Sequence, residues 1–111
     1  MQHAHPHCGC NCHPSPGLRA IRMLSVHELR CQRLPGSFVH HGSGIAFICP
    51  CGCGRESYLR RRSCHCATCC HGPSWEFSGT LDAPTLFPSI HNVRMPCRWH
   101  GWLRDGHWHP C

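Results

Sequence analysis

Two short runs of metal-ligating residues, Cys49-Pro50-Cys51-Gly52-Cys53-Gly54 and Cys97-Arg98-Trp99-His100, stand more than forty residues apart in the chain. Thiolate and imidazole are the donors that soft and borderline metals prefer. Two ligand groups far apart in sequence suit one tetrahedral zinc that ties two loops together. The best ligand set is Cys49, Cys51, Cys97 and His100, with Cys53 as the competing donor. This is a departure from the usual C-x-x-C knuckle, but thiols at i and i+2 can reach one ion, as can a pair at i and i+4.

A staple of this kind is needed. The chain has 111 residues, and much of its 41% apolar content is cysteine, of which there are 13. So small a domain buries a modest fraction of its surface and usually needs cross-links. Disulfides are the alternative to metal. The start, Met1-Gln2-His3-Ala4-His5-Pro6-His7, lacks the basic start and apolar run of a signal peptide, so secretion by that route is not expected. No stretch is long enough to cross a membrane, and no membrane partner is expected. An odd cysteine count, with 13 histidines dispersed among them, favours thiolates on metal in a reducing cytosol.

Two further donor-rich stretches lie outside this pair. Residues 1–17 form a His/Cys-rich tail whose proline and glycine oppose regular structure. Residues 63–72 form a Cys-rich insert. Cys64, Cys66, Cys69, Cys70 and His71 could combine with Cys8, Cys10, Cys12 and His13 around a second zinc. One zinc is expected, and this second one is a candidate.

Between these stretches, residues 18–111 read as one domain. Residues 18–34 fit neither helical nor strand period cleanly. A strand followed by a short turn is favoured over a short helix from Ser25 to Leu34. Ser37–His41 and Gly44–Ile48, separated by Gly42-Ser43, predict a hairpin that delivers Cys49. Glu56–Arg62 is a candidate strand. Trp75 and Phe77 alternate on one face of another, and residues 82–90, with two prolines, predict an extended loop or edge strand. Asp105-Gly106 between Trp102-Leu103-Arg104 and His107-Trp108-His109 is a strong two-residue hairpin signal. It pairs Arg104 with His107, Leu103 with Trp108, Trp102 with His109, and His100 with Cys111. Cys111 thereby becomes a candidate ligand as well. The fold class is a small β-rich, zinc-ribbon-like domain of short antiparallel strands and hairpins, with little helix.

The formal charge is +6, and every basic residue is arginine. Arg60-Arg61-Arg62 is the densest basic run, and interleaved aromatics add to a nucleic-acid-binding alternative. A GC-rich coding sequence produces the same composition with no such function. Carboxylates are few: Glu28, Glu56, Glu76, Asp82 and Asp105. No H-E-x-x-H, phosphate loop or Ser/His/Asp pattern is evident. The expectation is therefore a non-catalytic domain acting through contacts with an unknown protein partner, with a metal-dependent hydrolase the less favoured reading.

Five motifs occur in order: Cys49-Pro50-Cys51-Gly52-Cys53-Gly54, Trp75-Glu76-Phe77-Ser78-Gly79, Pro84-Thr85-Leu86-Phe87-Pro88-Ser89-Ile90, Cys97-Arg98-Trp99-His100 and the Asp105-Gly106 hairpin. Over residues 21–111 the chain resembles an uncharacterised family of small cysteine-rich proteins of tailed phages, prophages and bacteria. The resemblance implies a zinc-binding β-rich domain built on the 49/51 and 97/100 clusters. It implies no established activity, and a phage or prophage accessory protein, cytoplasmic or phage-associated, is the expectation that follows. The tail and the 63–72 insert lie outside what it implies.

Overall fold

The computed structural model describes residues 17–62, 72–92 and 97–111. Among these, the chain runs through β1 (Leu18–Arg19), β2 (Ile21–Met23), α1 (Val26–Gln32), β3 (Ser37–His41), β4 (Gly44–Ile48), β5 (Glu56–Arg60), β6 (Glu76–Gly79), β7 (Pro84–Phe87), β8 (Ile90–His91), β9 (His100–Arg104) and β10 (His107–Pro110). The fold is small and β-rich with one short helix among the described residues, as the sequence predicts.

The uninterrupted run Gly44-Ile45-Ala46-Phe47-Ile48 reads as a strand covered on both faces. It is central in the sheet β2-β3-β4-β5, and all five of its residues are buried. Side chains alternate along a strand. Phe38, Ile45, Phe47 and Leu59 therefore enter the main core with Leu86, Ile90, Trp99, Leu103 and Trp108. Val39, Ala46 and Ile48 point the other way and meet Met23 and Leu29 beneath α1. The β3–β4 hairpin turns on Gly42-Ser43, with His41 opposite Gly44.

A second sheet, β1-β10-β9-β8, packs across the main core. Its β9–β10 hairpin has the register read from the sequence: Arg104 faces His107, Leu103 faces Trp108 and Trp102 faces His109. The Cys111 amide donates to the His100 carbonyl at 3.0 Å, which extends that register by one pair. Asp105 and Gly106 have φ of 50° and 74°, as a primed two-residue turn requires. Gly101, Leu103 and Trp108 are buried, so His100, Trp102, Arg104, His107, His109 and Cys111 share the other face. Trp108 fastens the two sheets: its indole N–H donates to the Gly36 carbonyl at 2.8 Å, and its ring stacks on Phe47 with centroids 4.9 Å apart.

Residues 18–34 depart from the favoured reading. The strand ends at Met23, and Ser25 caps a helix in place of a turn. The Ser25 hydroxyl accepts from the Glu28 amide at 3.0 Å, while the Glu28 carboxylate accepts from the Leu24 amide at 2.9 Å. This local exchange resembles a capping box. Together with burial of Leu29 and a left-handed Arg33 at φ 45° that closes the end, it outweighs an apolar pattern that fits no period.

Candidate functional site

Strand β4 runs directly into the loop that carries Cys49, Cys51 and Cys53. The Cys49 amide donates to the Arg55 carbonyl at 2.8 Å and closes that loop. Gly52 and Gly54 take φ of 93° and 80°, a region open to glycine without a Cβ clash. These turns bring the thiols of Cys49, Cys51 and Cys53 to one side, where Cys97 meets them. All four sulfurs lie within 4.8 Å of one another. The Cys49–Cys51, Cys49–Cys97 and Cys53–Cys97 separations are 3.2, 3.5 and 3.7 Å. A disulfide would bring two sulfurs to about 2.05 Å, and none of the four is in one. Sulfurs at about 2.3 Å from a tetrahedral zinc stand about 3.8 Å apart. The cluster therefore has the dimensions of a four-thiolate metal site.

Burial governs the acidity of these thiols without a metal. It pushes Cys49 well up, and pushes Cys51 up to about 12. At Cys53 burial acts in the same direction, but donation from the Arg55 amide and the neighbouring thiols outweighs it and holds that thiol below its ordinary value. A bound divalent cation reverses this balance, because a coordinating thiol gives up its proton.

His100 is elsewhere. In place of joining the sulfurs, it sits at the start of β9 with its Nε2 3.3 Å from the Ser89 hydroxyl, eleven residues earlier. In the β8–β9 register His91 lies opposite His100, and alternation sends Ser89 and His91 to the same face. The His91 ring stacks on His100 with centroids 4.8 Å apart. The Trp75 indole N–H donates to the Ser89 carbonyl at 3.4 Å and fixes the backbone behind the hydroxyl. Both Ser89 and His100 are half-buried. A serine hydroxyl facing an imidazole nitrogen is the arrangement of a nucleophile and its general base, and such contacts are commonly loose before substrate binds. Most of the carboxylates are committed elsewhere: Glu28 to the helix cap, Glu56 to Arg30, Glu76 to Arg62 and Asp82 to Arg22.

A family model described as "Bacterial ubiquitination-like system serine protease (BubE)" matches residues 25–111. The chain belongs to the BubE family. No curated protein matches the chain, and no solved structure does. Membership of BubE overturns the expectation of a domain without catalysis, since the family's description is that of an enzyme. The expectation failed for a physical reason. No local catalytic motif marks the sequence: Ser89 and His100 meet only across two strands, and His100 also has metal-ligand spacing from Cys97. The signal available was the hairpin register: it fixed the face of His100, and a strand at Ile90 beside it would have placed Ser89 there.

The other sequence candidates are placed as follows. Cys53 joins the sulfur group as a full member, and Cys111 lies at the β10 end beside the His100 backbone. Arg60, Arg61 and Arg62 lie along the junction of β5 with the 72–79 segment. Arg60 donates to the Gly72 carbonyl, Arg61 stacks 4.7 Å over Phe77, and Arg62 approaches Ser74 and Glu76. Cys8, Cys10, Cys12, His13, Cys64, Cys66, Cys69, Cys70 and His71 lie outside the described residues.

Proposed function

We propose that this BubE protein is a serine peptidase in which Ser89 is the nucleophile and His100 the general base, and that a zinc ion on Cys49, Cys51, Cys53 and Cys97 is its structural staple. The observation that carries the reading is the Ser89–His100 contact at 3.3 Å between two half-buried side chains, in a chain whose family is described as a serine protease. The family's ubiquitination-like system supports a substrate that is a protein processed for, or released from, covalent attachment to another protein. The acceptor carbonyl is then that of a peptide or isopeptide bond.

In this scheme the Ser89 oxygen attacks the carbonyl carbon while His100 Nε2 takes the hydroxyl proton. The carbon–nitrogen bond breaks, and His100 returns the proton to the leaving amine. Water, activated by the same imidazole, then cleaves the Ser89 ester. His91, stacked on His100, limits rotation of the base.

The zinc has a separate role. Four thiolates fill all four corners and leave no position for water, which is the pattern of a structural site. Its contribution to the chemistry is positional. Cys97 stands three residues before His100 with buried Trp99 between them, so cross-linking Cys97 to the 49–53 loop holds the strand that presents the base.

A fluorophosphonate probe tests the reading. Modification of the wild-type protein at Ser89, absent in Ser89→Ala and strongly slowed in His100→Gln, is expected, with elemental analysis giving one zinc per described cluster. A Ser89→Ala protein that still cleaves a protein substrate at the wild-type rate would end the proposal.

A further inference from the structure

The face that carries Ser89 and His100 continues along β9 into an exposed ridge. Trp102, two residues after His100, points to the same side. Its ring lies 6.1 Å from that of Phe87 and tilted by 35°. Phe87 is 61% exposed, although it is a large apolar side chain only two residues before Ser89. The Arg104 guanidinium lies over the Trp102 ring at 4.2 Å. Among the described residues Arg104 pairs with no carboxylate. His107 stands opposite it, and His109 stands opposite Trp102. Single exposed aromatics are ordinary on protein surfaces. Here exposed Phe87 stands against half-buried Trp102, which carries a cation over its ring, close to the proposed nucleophile.

Resting on the peptidase reading above, we infer that Phe87, Trp102 and Arg104 are specificity-determining residues that seat the substrate chain beside its scissile bond. The occupant is an extended polypeptide segment with an apolar side chain for the Phe87–Trp102 surface and an acidic group, side-chain or terminal carboxylate, for Arg104. Charge complementarity selects the acid. Arg104 is the fixed positive charge at this end of the sheet, and burial together with His107 and Arg104 holds the His109 imidazole below its ordinary value, toward the neutral form. The nearest carboxylates are otherwise placed: Asp105 is in the turn, and Glu76, paired with Phe87 across β6–β7, lies toward Arg62. A planar guanidinium already held flat on an indole loses little freedom when it forks onto a carboxylate. Aromatic faces supply contact area at low entropic cost.

The test uses the full chain and a positional-scanning library of internally quenched peptides, with fluorophosphonate labelling of Ser89 run in parallel. Wild type should favour glutamate over lysine at one position by at least about tenfold, the scale of a charge-assisted contact. Arg104→Glu should invert that preference at the same position while fluorophosphonate labelling stays at the wild-type rate. Phe87→Ala should raise KM for peptides with an apolar neighbour and leave kcat near wild type. A Glu/Lys preference unchanged by Arg104→Glu, or no acidic preference in a protein whose Ser89 labels normally, overturns the inference and leaves the peptidase reading standing. Cleavage that persists in Ser89→Ala overturns the peptidase reading itself, and the inference with it.

Discussion

The sulfur cluster and the Ser89–His100 pair are joined by the short segment from residue 97 to residue 100, yet they differ in every respect that decides what a polar site can do. The sulfurs come from loops, converge within 4.8 Å, and include the fully buried Cys49. They are suited to close around an ion and exclude water. The serine and imidazole come from the ends of neighbouring strands and stand half-buried. One group is enclosed by loops; the other lies on a strand face. Histidine near cysteine is thus a poor guide to coordination. What matters is which face of a strand the imidazole occupies, and here its Nε2 stands beside the Ser89 hydroxyl.

That contrast can be attacked directly. The largest effect expected is from removing the metal or a ligand. Structural zinc in small thiolate sites carries about 10–16 kcal/mol of apparent binding energy. Cys97→Ser or strong chelation should therefore abolish both the cooperative thermal transition and Ser89 labelling. Retained labelling after verified zinc loss would show that the two sites are independent. Next, Ser89→Ala should lower turnover by about 10⁴-fold or more, with zinc content and melting temperature unchanged. A drop in stability here would mean that the hydroxyl is structural.

Gly101 follows His100 in β9 and packs against the Trp99 ring, so a substitution there should disturb the 97–100 segment that joins the two sites. A Cβ at this position would lie 2.6 Å from the Trp99 ring and 2.3 Å from the His109 carbonyl. Gly101→Ala should cost about 1–3 kcal/mol, as overpacked positions do, and reduce Ser89 labelling because Trp99 must shift beside His100. Chemical denaturation and labelling rates measure the two effects separately.

The smallest effect concerns the surface pair of Glu56 and Arg30, which contributes no side chain to either site. The Arg30 hydrogen bond holds the Glu56 carboxyl below its ordinary value, against burial that raises it. The folded chain binds that proton less readily than the unfolded chain does. The pair's stabilisation is then complete above the ordinary carboxylate range and is lost as pH falls through the folded value. Glu56→Gln should melt slightly earlier than wild type near neutral pH, and the gap should close on acidification. It should leave turnover untouched.

The parts of this molecule that were legible in sequence are those with short-range determinants. Asp105-Gly106 fixes the β9–β10 register, and Gly42-Ser43 fixes that of β3 and β4, because two-residue turns leave no freedom in pairing. The convergence of the Cys-Pro-Cys-Gly-Cys loop with Cys97 was legible because few roles other than a shared metal suit so many thiols at such spacing. Helix α1 was harder. Its determinants are the Ser25 and Glu28 cap contacts and a single buried Leu29, not a stripe. The Ser89–His100 pair was hardest, because neither residue belongs to a local motif of catalysis. Their meeting depends on β8 docking beside β9, a contact that no window of the sequence encodes.

The tie made by Trp108 gives the protein an internal optical gauge. Trp99 and Trp108 are both buried, with ring centroids 5.7 Å apart at 85°. Indoles so close exchange excitation, and the resulting circular-dichroism couplet would vanish once the β9–β10 hairpin peels away from its support. Loss of the fold at the very strand that bears His100 can thus be followed without any label.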